Sequence, residues 1–278
     1  MTIEEFIINA LAEDVGNGDH TTLSCIDAES TGEAKLIVKE SGIAAGIELA
    51  QHIFKIVDPT LVFEKYIEDG MPVSHGDIAF QIAGCDQKIL TAERLVLNCM
   101  QRMSAIATLT SKFVEEVKST QAKILDTRKT TPLNRIIEKW AVRIGGGFNH
   151  RFGLYDMIMI KDNHVDFCGG IKQAIEKTHE YLNKNNLSLK IEVETRNLSE
   201  VKEVLSVGGI DRIMLDNFSA ELMAEAVVLI NKKYETEASG GIKLNNVKAY
   251  ALTGVDYISV GALTHSVSSL DLSLKAIK

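Results

Sequence analysis

Cysteine is scarce and scattered in this chain. The four that occur, Cys25, Cys85, Cys99 and Cys168, form no C-x-x-C pair and no metal-ligand spacing. That excludes a disulfide framework and a zinc module, and it predicts reduced core residues in a cytoplasmic protein. No apolar run approaches the ~18 uninterrupted residues of a membrane helix, so no membrane span is expected. The first residues, "MTIEEFIINALAED", lack the basic n-region of a signal peptide and place Glu4 and Glu5 where one would be apolar. They predict an amphipathic helix instead, with Thr2 and Glu5 spaced as a capping box. Neither a G-x-G-x-x-G nor a Walker sequence is present. Positive charge is also in the minority, with 30 Lys and Arg against 38 Asp and Glu and a net charge of -8. A chain of that balance is not expected to bind nucleic acid nonspecifically.

What positive charge there is gathers in one place. From Arg128 to Lys161 there are seven basic residues (128, 129, 135, 139, 143, 151 and 161) against two acids, Glu138 and Asp156. The centre of this segment is "GGGFNHR", residues 145 to 151, where three glycines leave the backbone bare and His150 and Arg151 follow together. A concentration of cations in an acidic chain predicts an anionic ligand.

The 278 residues suffice for one large domain or two ordinary ones, and the texture changes partway along. Up to about residue 115 short β-like stretches, "AKLIVKE", "LVFEKYI" and "DIAFQIA", are separated by turn signals, and a long helical pattern follows from about Thr91. From about 122 onward six short apolar strands alternate with helices: 123–127, 155–160, 189–194, 211–216, 236–239 and 256–261. Alternation of this kind implies parallel strands with right-handed crossovers. Polar or glycine residues close the strands in turn: Arg128 with Lys129, Lys161, Glu194, Asp216, Ser239 with Gly240 and Gly241, then Gly261. Chemistry spread over successive strand ends belongs to a β/α barrel, whereas an open sheet concentrates it at one switch point. Six strands are fewer than eight, so the fold class expected is α/β with an incomplete barrel.

Each strand end has an ordinary reading beside a functional one. Arg128 and Lys129 in "DTRKTTP" make either a solvated loop pair or a fork and point charge for a carboxylate or phosphate. Lys161 is either a surface lysine or an anion or Schiff-base site. Glu194 and Asp216 either pair with the neighbouring cations, hold Mg²⁺ with its waters, or stabilise a developing cation. "EASGGI" and "SVGALTHS" make either tight turns or a phosphate site of bare backbone N–H groups. In "LNRIIEKWAVRI" the stripe Leu133, Ile136, Ile137, Trp140, Ala141 and Ile144 predicts a buried face, with Arg135, Glu138, Lys139 and Arg143 in solvent.

Taken in order, "ALAEDVGNGDHTT", "AERLVLN", "DTRKTTP", "EKWAV", "GGGFNHR", "IKDNHV", "MLDNF", "EASGGI" and "ISVGALTHS" closely resemble the quinolinate phosphoribosyltransferase family, over nearly the whole chain. The resemblance implies an N-terminal α/β sandwich-like domain (1–115, with a C-terminal tail of about 266–278 packing back on it) and an incomplete β/α barrel (116–265). It implies transfer of the phosphoribosyl group of 5-phosphoribosyl 1-pyrophosphate to quinolinate with decarboxylation, giving nicotinate mononucleotide, pyrophosphate and CO₂, with Mg²⁺ as cofactor. Arg128, His150 and Arg151 would face the quinolinate carboxylates, with Lys129 and Lys161 beside them. Arg94 would reach in from a second subunit of a dimer or hexamer. Glu194 and Asp216 would sit near the ribose and the Mg²⁺-pyrophosphate, and Ser239, Gly240, Gly241, Gly261 and His265 would hold the 5-phosphate. Many family members have glycine after "TRKTTP" where this chain has Leu133, a departure that touches the loop's backbone and no charged group. Three rivals remain at this stage: a paralogue with another substrate, an aldolase using Lys161, and a non-enzymatic anion binder. The first is disfavoured by Arg128, His150, Arg151 and Lys161 occurring together, the second by the cations crowding that lysine, the third by the paired acids.

Overall fold

A computed structural model describes residues 1–277. The chain forms two compact units, the first built from 1–111, 130–146 and 263 onward and the second from 112–129 and 147–262. The division lies at 111/112 and 262/263 where the sequence drew it at 115/116 and 265/266, and the segment 130–146 also counts with the first unit.

The first unit begins with α1 (Ile3–Val15), which carries the capping box expected at its start: Glu5 N donates to Thr2 Oγ1 and Thr2 N to Glu5 Oε2. α2 (His20–Cys25), β1 (Thr31–Val38), β2 (Gly42–Ile43), α3 (Ile47–Val57), β3 (Val62–Lys65), β4 (Pro72–Val73) and β5 (Ile78–Cys85) follow. α4 (Asp86–Val117) starts five residues before the periodic pattern suggests and runs into the second unit. The last strand, β12 (Leu272–Ile277), pairs antiparallel with β1, completing a sheet of order β12-β1-β5-β3. Alternation along β1 buries Ala34, Leu36 and Val38. The helix α3 packs its Phe54 against Phe80 and Phe63, whose rings lie 4.5 Å apart.

One sequence expectation fails here. In α5 (Arg135–Ile144) Glu138 and Lys139 are buried, Trp140 is only half-buried, and Leu133 before it is 78% exposed. The helix turns a mixed face inward because Glu138 has a cation to meet: Arg102 of α4 donates through Nε at 3.1 Å and Nη2 at 2.9 Å to its Oε1. Glu138 Oε2 also accepts from the amide of Thr131 at 3.1 Å. Helical periodicity counts apolar side chains and is blind to a charge whose partner comes from elsewhere in the chain. Leu133 holds φ +65, the left-handed region where glycine would sit without strain, as its place in the family's loop suggests.

In the second unit β6 (Lys123–Leu125), β7 (Ile158–Ile160), β8 (Ile191–Thr195), β9 (Arg212–Asp216), β10 (Glu235–Ser239) and β11 (Tyr257–Ser259) form one parallel sheet of order β6-β11-β10-β9-β8-β7. The last strand pairs with the first, which is barrel topology, and the single missing pairing is between β6 and β7. Beside β6 that gap holds only an isolated bridge, Leu125 to Phe148. Helices α6 (Asp162–Cys168), α7 (Ile171–Asn185), α8 (Leu198–Val207), α9 (Ala220–Ile230) and α10 (Val247–Ala251) form the crossovers, and the short α11 (Ala262–His265) follows β11. All six strands lie where the sequence places them, most of them shorter by a residue or more.

Candidate active site

Open space in the second unit collects at the C-terminal ends of its strands, as the barrel argument requires. A cavity of about 610 Å³ is lined there by Thr127, Arg128 and Lys129 after β6, His150 and Arg151 before β7, and Lys161 after it. Glu194, Asp216, Asn217, Glu237, Ser239, Gly240, Gly241 and Ser259 supply the remaining polar wall. The structure thus brings together ten of the thirteen candidates from the sequence. Gly261 is outside the lining, at the start of α11. Arg94 and His265 belong to the first unit, where both are exposed. Arg94 lines a smaller cavity with Asp14, Asp19 and His20, and its guanidinium makes no hydrogen bond or ion pair among the described residues.

Local structure explains how each group is held. Asp126, fully buried at the end of β6, accepts the His150 amide at 2.9 Å, which anchors the segment after the glycines. Arg151 donates through Nη1 to the Met157 carbonyl at 3.1 Å. Burial and the neighbouring charge of Arg128 push the Arg151 guanidinium below its usual range, the mark of two cations sharing one wall. Lys161 Nζ donates to Glu194 Oε2 at 3.0 Å, and Asn217 Nδ2 to Asp216 Oδ2 at 2.6 Å. Glycine is required at Gly240: its φ is +88, and an added Cβ would come within 2.3 Å of Asn217 Oδ1 and 2.9 Å of its backbone nitrogen. The two glycines leave bare amides on that side of the cavity.

A charged cluster that no local sequence pattern brings together runs inward from that wall, from His150 and Glu237, which line the cavity, to Glu192. His150 Nε2 is 3.0 Å from Glu192 Oε2 and 3.3 Å from Glu237 Oε2, and both carboxylates are fully buried. Burial alone would lower the imidazole pKa. Contact with Glu192 and Glu237 outweighs it, and the pKa rises to about 9. Glu192 is itself pushed up to about 7, by burial and then by the charge of Glu237. Burial acts on Glu237 in the same sense, but His150 and Arg212 hold its pKa below the ordinary carboxylate value. The Arg151 amide, 2.6 Å from His150 Nδ1, favours the tautomer protonated on Nε2. The carboxylates favour the imidazolium, and Nε2 carries a proton in either form. These three ligand atoms lie within 4.8 Å of one another, close enough to hold a metal. Arg212 already neutralises Glu237 at 2.9 Å, so a cation has less reason to enter. The signal for the cluster was in the sequence: glutamates inside "KIEVE" and "TEAS" break the apolar pattern of buried parallel strands.

Residues 19–104 match the family model for the quinolinate phosphoribosyl transferase N-terminal domain, and residues 106–275 that for its C-terminal domain. The chain is 47% identical over 288 residues to the mitochondrial quinolinate phosphoribosyltransferase (decarboxylating) 2 of Nicotiana glauca, covering 98% of this chain and 82% of that protein. It is 40% identical over 274 residues to the probable nicotinate-nucleotide pyrophosphorylase (carboxylating) of Bacillus subtilis, covering 99% and 93%. Among solved structures, NadC from Streptococcus pyogenes superimposes with a TM-score of 0.92 at 37% identity, covering 99% of this chain and 97% of that one. The nicotinate-nucleotide pyrophosphorylase of Ehrlichia chaffeensis does so with 0.92 at 36% identity, covering 100% and 99%.

Proposed function

The chain belongs to the quinolinate phosphoribosyltransferase family, and from that premise we propose how its cavity divides between two substrates. The enzyme is a decarboxylating pentosyltransferase of NAD biosynthesis: it joins quinolinate to 5-phosphoribosyl 1-pyrophosphate and yields nicotinate mononucleotide, pyrophosphate and CO₂. One observation carries the division. Arg128, Lys129, Arg151 and Lys161 surround one cavity in an acidic chain, and the same cavity holds Glu194, Asp216 and the Ser239-Gly240-Gly241 turn.

In this reading the cations take the two carboxylates of quinolinate and hold its ring nitrogen at attack distance from the ribose. His150 stands beside Arg151 on the same wall. Ser239, Gly240 and Gly241 hold the 5-phosphate, with Gly261 following β11 in the same unit. Departure of pyrophosphate leaves positive charge at the ribose C1, which Glu194 and Asp216 stabilise. Once the nitrogen is glycosylated the ring is cationic and stabilises the electron pair left on C2 when the 2-carboxylate departs as CO₂, and C2 then takes a proton from solvent. Lys129 and Lys161 keep that carboxylate oriented until it leaves.

Glu194 and Asp216 fit Mg²⁺ by their chemistry, being two carboxylates on the neighbouring strands β8 and β9 at one cavity. Bound there, Mg²⁺ would take up charge on the leaving pyrophosphate. A homo-oligomer, dimer or hexamer, with shared sites is supported by Arg94, whose exposed guanidinium has no partner within the described chain and is available to a second copy. Among the described residues no helix is long and apolar enough to cross a membrane. A cytoplasmic location is supported by four cysteines that are all free.

Turnover with Mg²⁺ and the phosphoribosyl donor, supplying quinolinate in one reaction and nicotinate in another, tests the reading. Nicotinate mononucleotide from quinolinate alone, with equal CO₂, is the expected result. Product from nicotinate would mean that the cations do not serve a 2-carboxylate.

A further inference from the structure

The proposed transfer makes no use of Glu192 and Glu237, yet both occupy costly positions. They project from mid-strand in β8 and β10, fully buried, where parallel strands ordinarily carry apolar side chains. Both approach His150 Nε2, at 3.0 and 3.3 Å. Arg212, on β9 between the two strands, donates to Glu237 Oε2 through Nη1 at 2.9 Å and to Glu235 Oε2 through Nη2 at 3.1 Å. Its guanidinium lies 4.0 Å from the Tyr257 ring centroid, which fixes it further. On the far side of the imidazole the Arg151 amide points at Nδ1 from 2.6 Å. Nδ1 is hydrogen-bonded and Nε2 stands at ion-pair distance from both carboxylates without hydrogen-bond geometry, so close contacts run from Arg212 through Glu237 and His150 to the backbone of Arg151.

We propose that Glu192 and Glu237 are positioning residues for the quinolinate subsite: they hold the His150 ring at Nε2, and the ring sets the backbone from which Arg151 enters the cavity. This assigns His150 a part different from direct donation to a carboxylate. It rests on the reading above in which Arg151 meets quinolinate. The clamp needs oxygen acceptors at Nε2 and a fixed ring plane. A neutral amide in place of one carboxylate satisfies both, since Arg212 keeps Glu235 as its partner.

The test compares Glu237→Gln with Glu237→Leu, and Glu192→Gln with Glu192→Leu, in the full-length enzyme. Each leucine variant is expected to raise the quinolinate KM at least tenfold, with kcat and the KM of the phosphoribosyl donor changed less than threefold. Each glutamine variant should return the quinolinate KM to within about threefold of wild type. Where a leucine variant does not fold, Glu237→Asp, which keeps the charge and withdraws the oxygen by one methylene, takes its place with the same expectation. Nitrogen spectra of histidine-labelled enzyme give a readout independent of turnover: the His150 ring-nitrogen shifts should stay at their wild-type values in Glu237→Gln and move toward those of a mobile imidazole in Glu237→Leu or Glu237→Asp. A quinolinate KM unmoved in the leucine and aspartate variants overturns the proposal, as does a uniform fall in every parameter. Failure of the underlying reading looks different, because then wild-type enzyme itself gives no product from quinolinate.

Discussion

Lys161 Nζ lies 3.0 Å from Glu194 Oε2, so the site neutralises part of its own charge before any substrate arrives. The lysine is 45% exposed, which places the pair among solvent-screened ones worth about 0.2–1 kcal/mol. Quinolinate must compete with Glu194 for Lys161 at that cost. Glu194→Gln should therefore tighten quinolinate binding, by up to about fivefold, while turnover falls because the carboxylate near C1 is gone. Calorimetric titration of quinolinate alongside steady-state kcat checks both halves. Weaker binding in the variant would show that Glu194 aids the acceptor and does not oppose it.

Arg128 stands three residues after the end of β6, and burial together with its charge depresses Arg151, so the two guanidinium groups share a wall. Truncation of either should cost one charge-assisted contact to a carboxylate, about 1.5–3 kcal/mol. For Arg128→Ala that is a rise of roughly 10- to 150-fold in the quinolinate dissociation constant. Normal quinolinate affinity in this variant would place the dicarboxylate elsewhere.

Removal of Arg102 should damage the fold. Its partner Glu138 is fully buried, and the arginine also reaches the Thr264 carbonyl and, at 3.4 Å, Thr131 Oγ1. Arg102→Ala leaves a buried carboxylate without its cation, a change that costs about 3–5 kcal/mol. The paired Arg102→Met, Glu138→Leu variant removes both charges and should recover most of that loss. Urea titrations of wild type and the two variants decide it, and a double variant no more stable than Arg102→Ala would mean that the unpaired buried charge is not the source of the loss.

The same residues show what was legible in the sequence. Strand positions were, because short apolar runs closed by polar residues recur at near-regular spacing, and the barrel followed from chemistry at successive strand ends. So was the cavity's cationic wall, since Arg128, Lys129, Arg151 and Lys161 stand beside those ends. Glu138 and Lys139 were misread because a helical stripe reports where apolar groups fall, and Arg102 lies 36 residues away in the chain. Glu192, Glu237 and Arg212 were visible singly as charges inside strands. Their meeting at His150 depends on the order β8-β9-β10, which no local pattern contains.

The His150 cluster also sets how stability depends on pH. His150 holds its proton to about 9 when folded, against an ordinary 6.5, and Glu192 to about 7, against 4.5. Between those limits the folded chain binds more protons than the unfolded one, so stability is fully present below the ordinary values and is lost as pH rises through the folded ones. Each group contributes at most about 1.4 kcal/mol per pH unit within its window. Glu237 works in the opposite sense, because its lowered pKa gives stability that is lost on acidification below the ordinary 4.5. Unfolding free energy measured by urea titration should therefore decline from pH 6.5 to 9 in the wild-type protein. In the His150→Gln, Glu192→Gln double variant, which removes both groups whose folded pKa values are raised, most of that decline should disappear. A wild-type profile that is flat or rising across that window would mean that the imidazole is not held by the two carboxylates.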